Sequence, residues 1–105
     1  MIVIDPSLII LPTPASITRR QCARELFKRE MISGSEMVSM TATGTPPAMI
    51  EEMFALMPDN EQWIARSDFA ADTYMRDNPL LVFIMTASGS TSAEIDEFFR
   101  EAAKR

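Results

Sequence analysis

The closest approach to a metal site in this sequence is a pair of aspartates. Asp68 and Asp72 are four residues apart, so a helix would place both carboxylates on one face. Carboxylate oxygens are ligands for Mg²⁺ and Ca²⁺, but such a site needs further converging ligands. The sequence contains no histidine and offers no third convergent acid, so we expect this pair to lie on a solvated helix face.

Nucleophilic chemistry has equally little support. The absence of histidine excludes Ser–His and Cys–His pairs and the usual catalytic zinc sites. Cys22 lies on an apolar helical stripe, where we expect a small buried side chain. The serine-rich turn at residues 88–92 lacks the glycine spacing and lysine of a P-loop, so it predicts a helix cap. We therefore predict no enzymatic activity, no metal and no cofactor.

Half of the basic residues lie close together near the start of the chain. Within residues 19–29 are five of the ten cations, and with two acids in residues 19–30 this segment carries +3 of a net charge of −5. The remainder of the chain is therefore strongly acidic. The five cations are Arg19, Arg20, Arg24, Lys28 and Arg29.

Two uses of this basic segment remain open. The cations pair within the chain, or they contact an acidic partner or nucleic acid. The order of helix, joint at residues 32–35 and second helix loosely resembles a helix-turn-helix. Its second helix has no Lys, Arg, Asn or Gln to contact base edges, so we do not expect specific DNA binding. The acids considered for internal pairing are Glu51, Glu52, Asp68 and Asp72.

The first fifteen residues have a different composition from the rest. We predict that residues 1–15 form an extended apolar N-terminal arm and residues 16–105 a helical domain. The arm lacks the basic start of a signal peptide, and the longest apolar run, residues 79–85, is too short to span a membrane. Two aliphatic runs flank a turn signal in the arm: Ile2, Val3 and Ile4, then Leu8, Ile9, Ile10 and Leu11.

Burial of these seven aliphatic side chains is worth on the order of 10–20 kcal/mol, so the arm must pack against protein. It packs over its own helices, forms a hairpin that would be marginal alone, or adds strands to a neighbouring chain. An all-helical body would offer no sheet edge to the arm, which favours a neighbouring chain.

Helix signals dominate the remainder. Thr18 with Gln21 and Thr91 with Glu94 are capping boxes. We expect Gly34 to end the first helix. A short second helix at residues 36–41 would be capped by Ser35 and ended by Gly44, and another helix is expected at about residues 61–76. Residues 80–87 suit a buried strand or a short helix, and the flanking proline and glycine favour the helix. The fold class predicted is all-α, a compact bundle of about five or six short helices.

Four motifs in order carry a resemblance. They are I-T-R-R-Q at residues 17–21, T-G-T-P-P at 43–47, R-D-N-P-L at 76–80, and S-A-E-I-D-E-F-F-R-E-A-A at 92–103. Together they resemble small helical proteins encoded near the tail-fibre genes of tailed bacteriophages. The resemblance covers residues 17–105 and leaves the arm outside. Residues 61–76 depart from it around Trp63 and Phe69, and Asn78 replaces a histidine.

The resemblance implies a virion or assembly context and carries over no active-site residues. We expect a non-enzymatic virion structural protein, an adaptor or decoration protein of the tail, fibre or baseplate. It would be made in the host cytoplasm and join other phage structural proteins, without a membrane. The alternatives are an assembly chaperone absent from the mature virion and a small regulatory nucleic-acid-binding protein. The predicted partner-binding residues are Ile2, Val3, Ile4, Leu8, Ile9, Ile10, Leu11, Arg19, Arg20 and Arg24.

Overall fold

A computed structural model describes residues 12–105 as a helical domain with one small sheet, which confirms the predicted helical fold. Six helices and two strands follow one another in this part of the chain. Their bounds are β1 Ser16–Thr18, α1 Arg19–Lys28, α2 Gly34–Thr43, α3 Ala48–Phe54, α4 Asp59–Phe69, β2 Thr73–Met75, α5 Pro79–Ala87 and α6 Ser92–Ala102.

The predicted helix starts at Thr18 and Thr91 are confirmed. Each threonine accepts a hydrogen bond from the third helical amide, and Gln21 and Glu94 return the bond to the cap. Residues 79–87 form the predicted short helix, in which Asn78 accepts bonds from the first free amides. These starts are local, because each cap is specified within four residues of sequence.

The predicted junction between the first two helices is wrong. Gly34 begins α2 instead of ending α1, and its N-cap is Ser33. Helix α1 ends at Lys28 because Glu30 adopts a left-handed φ of 61°. The Glu30 amide donates a hydrogen bond to the Phe27 carbonyl, and the Met31 amide donates to the Leu26 carbonyl. This is the bond pattern that normally places glycine after a helix, here with glutamate in that position.

The predicted helix at residues 61–76 is also wrong beyond Phe69. Residues Thr73–Met75 form β2, which pairs antiparallel with β1 with Ile17 opposite Tyr74. The pairing continues where the Arg76 amide donates to Ala15 at 2.9 Å. Long-range strand pairing overrode the local helical pattern, so the helical body does have a sheet edge.

The core lies where the sheet and α6 meet α1. Helix α1 packs mainly against α2 and α6, and the sheet adds the two central side chains of its strands. The Tyr74 hydroxyl is buried and donates to the carbonyl of Phe69 at the end of α4. The core therefore brings together side chains from the first and last elements of the described residues. Its most enclosed side chains are Ile17, Ala23, Met40, Phe54, Phe98, Phe99 and Ala102.

One arginine connects the ends of two helices. The Arg19 side chain is only 13% exposed. Its Nε donates to the Met40 carbonyl at 2.8 Å and Nη2 to Thr41 at 3.2 Å, in the last turn of α2. Its Nη1 donates to the Ala70 carbonyl at 2.6 Å and to the Asp72 carboxylate at 3.2 Å, beyond the end of α4. A cation at two helix C-termini satisfies their free carbonyls and opposes their dipoles.

Gly44 allows these two helix ends to come together. It ends α2 with a φ of 70°, and a Cβ atom there would lie 3.0 Å from the Ala70 Cα. Both the backbone angle and the close approach require glycine. The predicted end of the second helix at Gly44 is therefore confirmed.

Glu36 connects α2 to α3. Its carboxylate accepts hydrogen bonds from the Ser33 amide at 3.0 Å and from the Ala48 amide at 2.7 Å. Those two backbone bonds lower the pKa of Glu36 below its ordinary value of 4.5. The ionised carboxylate therefore caps backbone amides at the start of both helices.

We expect Arg19→Ala to destabilise the domain by about 2–4 kcal/mol, because it leaves four helix-end carbonyls and a carboxylate without their shared cation. Arg20→Ala is the matched control, since that neighbouring side chain is exposed, and it should change the free energy of unfolding by less than about 0.5 kcal/mol. Urea unfolding followed by circular dichroism measures both. Equal losses in the two variants would contradict the role given to Arg19.

Glu36→Gln should lower the urea midpoint at pH 7, because the amide cannot reproduce two carboxylate bonds. A lowered pKa means that the ionised group stabilises the fold above pH 4.5, and that this stability is lost as the pH falls through the folded-state value. The difference between variant and wild type should therefore shrink as the pH falls below 4.5. Glu52→Gln, at an exposed position on α3, is the control and should leave the urea midpoint at pH 7 unchanged.

Candidate interaction surface

The predicted partner-binding arm lies mostly outside the described residues. Residues 12–15 of the arm are described, and they lead directly into β1. The aliphatic residues outside are Ile2, Val3, Ile4, Leu8, Ile9, Ile10 and Leu11.

The base of the arm is held against the domain at two points. Arg100 of α6 donates from Nη1 to the Thr13 hydroxyl at 3.3 Å. Pro12 and Pro14 line a groove of about 420 Å³ along the same helix. Two residues further, the Ala15 carbonyl accepts from Arg76 and the chain enters the sheet. The position of residues 12–15 on the domain is therefore set by α6 and β2.

Of the three arginines predicted to bind a partner, Arg19 is used within the chain. It donates five hydrogen bonds to other residues of the domain. Within residues 12–105 its one ion pair is with Asp72, one of the four acids named above as possible internal partners. The structure thus matches the internal alternative for this residue.

Arg20 and Arg24 lie on the outside of α1, in line with Lys28. Each of these three cations lies four residues after the previous one, and all three are exposed. Within residues 12–105 none of them forms a salt bridge. Phe27 lies between Arg24 and Lys28 in sequence and is 46% exposed, and a Cβ atom added at Gly34 would lie 3.7 Å from its ring. We name Arg20, Arg24, Phe27 and Lys28 the basic ridge.

Arg29 belongs to a separate cluster around a buried carboxylate. The Glu25 carboxylate is only 3% exposed, yet it accepts from Arg29 Nε at 2.9 Å and from Arg105 Nε at 3.0 Å. The Arg29 guanidinium also lies 5.0 Å from the centre of the Phe98 ring. A buried carboxylate is tolerated when charged donors satisfy it, so this cluster joins α1 to the end of the chain. Sequence spacing alone grouped Arg29 with the exposed cations.

Helix α4 presents an outward face that no sequence motif indicated. Its large apolar side chains Trp63 and Ile64 are 72% and 64% exposed. Acids flank them, because Asp59 precedes Trp63 by one turn and Glu61 precedes Ile64 by three residues. We name Asp59, Glu61, Trp63 and Ile64 the α4 face.

An ion pair explains which side of α4 faces inward. Arg66 binds Glu51 of α3 with two bonds of 2.8 and 2.7 Å, and lies 5.1 Å from the centre of the Phe54 ring. The hydrogen bonds from Arg66 lower the pKa of Glu51. Helix α4 thus buries only Ala65 and Phe69 beside this pair. No local sequence signal indicated that an arginine, and not the tryptophan, would face the core.

A small apolar cavity of about 70 Å³ lies between α1, α3, α5 and α6. Its lining includes the Cys22 thiol, whose pKa is raised to about 12, chiefly by burial and also by Glu25. Burial likewise raises the pKa of the Tyr74 hydroxyl, which is already hydrogen-bonded. These groups are held in their neutral forms. Other lining residues are Leu26, Met49, Ile84, Met85 and Phe98.

The expectation that Asp68 and Asp72 share one helix face is wrong. Asp68 is exposed on α4, whereas Asp72 lies beyond the end of that helix and pairs with Arg19. Across residues 12–105 there is no group of three or more metal-binding side chains. The Ser88–Ser92 turn ends in the Thr91 cap, which accepts from the Glu94 amide at 3.2 Å, as predicted.

Comparisons with protein-family models, with curated proteins and with solved structures give no match to this chain. In the described part of the chain, each helix is too short or too polar to cross a bilayer. Function is therefore argued from the base of the arm, the basic ridge and the α4 face.

Cys22 should resist alkylation by iodoacetamide in the folded protein at pH 8, because the thiolate is the reactive form and burial suppresses it. Intact-mass spectrometry should show little adduct under native conditions and complete modification in 6 M guanidinium. Rapid modification of the folded protein would contradict both the burial and the raised pKa.

Proposed function

We propose that this chain is a non-enzymatic structural protein of a tailed-bacteriophage virion, an adaptor or decoration protein of the tail, fibre or baseplate. It attaches to neighbouring subunits through its N-terminal arm. One observation carries the proposal: the arm starts from a fixed base, where Thr13 binds Arg100 and β1 pairs with β2. Because the base of the arm is fixed to the domain, a partner that binds the arm also determines where the domain lies.

The size of the arm supports a neighbouring chain as its binding site. Eleven residues beyond the described part span up to about 40 Å when extended. The sheet edge on β2 is a competing site within the chain, but it has only three residues. Three residues offer at most a few backbone bonds, whereas seven aliphatic side chains need a broad apolar surface. A neighbouring subunit supplies such a surface.

The resemblance to small proteins encoded near tail-fibre genes supplies the virion context. Its motif residues include Thr18–Gln21, which cap α1, and Arg76, which donates to Asp96 at 2.6 Å. The motifs are thus positions that build the domain, while the arm lies outside the resemblance. We infer that the domain is the common part and that the arm determines the attachment.

An assembly chaperone, absent from the mature virion, is the alternative within the same context. The exposed Leu56, Trp63 and Ile64 favour it, because chaperones present apolar side chains to unassembled partners. A small regulatory nucleic-acid binder is favoured only by the basic ridge, and the net charge of −5 opposes it.

Deletion of residues 2–11 should leave a folded helical protein that no longer enters the virion, because the domain core lies within residues 12–105. The matched control keeps the length and changes the seven aliphatic residues of the arm to serine, and it should fail in the same way. Each variant is supplied to the encoding phage in place of its own copy. Circular dichroism measures folding, and quantitative mass spectrometry of purified virions measures incorporation.

We expect wild-type protein in stoichiometric amounts in purified virions. Both arm variants should be absent from them. If the deletion variant unfolds, the arm belongs to the core of its own chain and the attachment role is wrong. If the wild-type protein is missing from purified virions, the chaperone alternative replaces the structural role.

A further inference from the structure

We propose that the domain binds a second copy of itself head to tail, with the basic ridge of one copy on the α4 face of the next. This inference concerns the domain and does not depend on the arm. It begins from two exposed faces of opposite charge on two different helices. Neither face is covered in the part of the chain that the structure describes.

The charges of the two faces are complementary. Residues 19–30 carry five cations and two acids, whereas residues 48–69 carry five acids and one cation, Arg66. That cation is already bound to Glu51. The outer side of α4 is thus acidic, and the outer side of α1 is basic. Opposite potentials of this kind accelerate encounter and fix the orientation of docking.

Both faces also carry exposed aromatic side chains beside their charges. Phe27 lies between Arg24 and Lys28 in the sequence of the ridge, and Trp63 follows Asp59 and Glu61 on the α4 face. An apolar centre with a charged rim is the usual composition of a protein–protein interface, and tryptophan and arginine are its commonest energetic anchors. An arginine of the ridge over the Trp63 ring would add a cation–π contact.

The two faces belong to different helices, so the contact is heterologous. Each copy uses its ridge toward one neighbour and its α4 face toward the other. Such an interface builds rings or open chains of subunits, unlike the self-complementary patch of a twofold dimer.

Nucleic acid is the competing ligand for the ridge. A phosphate backbone would use Arg20, Arg24 and Lys28 and would leave Trp63 and Ile64 exposed. A second copy accounts for both faces, which is why we favour it. The two ligands differ in an experiment, because only self-association requires Glu61 as well as Arg24.

Sedimentation velocity of the full chain in 50 mM salt tests the proposal. Arg24→Glu and Glu61→Lys should each weaken self-association at least tenfold relative to wild type. Each variant keeps one intact face, so an equimolar mixture should form a 1:1 complex that neither variant forms alone. Asp77→Lys reverses an exposed acid elsewhere with the same change of charge as Glu61→Lys, and should associate like wild type.

A monomeric wild-type protein at millimolar concentration would overturn the proposal, as would a mixture that fails to restore the complex. If Asp77→Lys weakened self-association as much as Glu61→Lys, the cause would be net charge alone, and the proposal would also be overturned. Binding of a 20-base-pair duplex DNA by the monomer, lost in Arg24→Glu and kept in Glu61→Lys, would assign the ridge to nucleic acid instead. These outcomes are separate from those of the arm deletion, because all of these variants keep the arm.

Discussion

The Arg19 guanidinium occupies a position on which several separate parts of the fold depend. It neutralises the C-terminal end of α2 and the end of α4, which are more than twenty and fifty residues away in sequence. Its own backbone amide donates to the Asp72 carbonyl at 2.9 Å, which continues the pairing of β1 with β2. The same residue therefore links the start of α1, the ends of two other helices and the sheet at the base of the arm. Removal of the cation would leave several helix-end carbonyls without a donor.

The cations of the basic segment are divided between bonds within the chain and bonds available to partners. Arg19 and Arg29 bind groups of their own chain, namely helix carbonyls and the Glu25 carboxylate. The ridge cations point outward, and across residues 12–105 they form no salt bridge. Acidic groups are divided in the same way, since Glu51 binds Arg66 while Asp59 and Glu61 face solvent beside Trp63. The outward charges are the ones available to partners, which is why interaction and not catalysis is the function we propose.

Helix starts and ends that depend on a few neighbouring residues were predictable from the sequence. The caps at Thr18 and Thr91, the helix after Asn78 and the end at Gly44 each follow from a few neighbouring residues. The strand Thr73–Met75 was missed because its pairing partner lies more than fifty residues away. The end of α1 was missed because glutamate replaces the expected glycine. At the candidate surface, spacing placed Arg20 and Arg24 on one face, but it could not separate them from Arg19 or reveal that Trp63 points outward.

The division between internal and outward arginines is the central claim, and side-chain hydrogen exchange tests it most directly. NMR of the arginine Nε–H groups should show slow exchange for Arg19, Arg29 and Arg105, whose Nε–H groups donate to protein oxygens at 2.8–3.0 Å. Arg20 and Arg24 should exchange at the rate of a solvated side chain in the monomer. Fast exchange at Arg19, or equal protection at Arg20, would contradict the account.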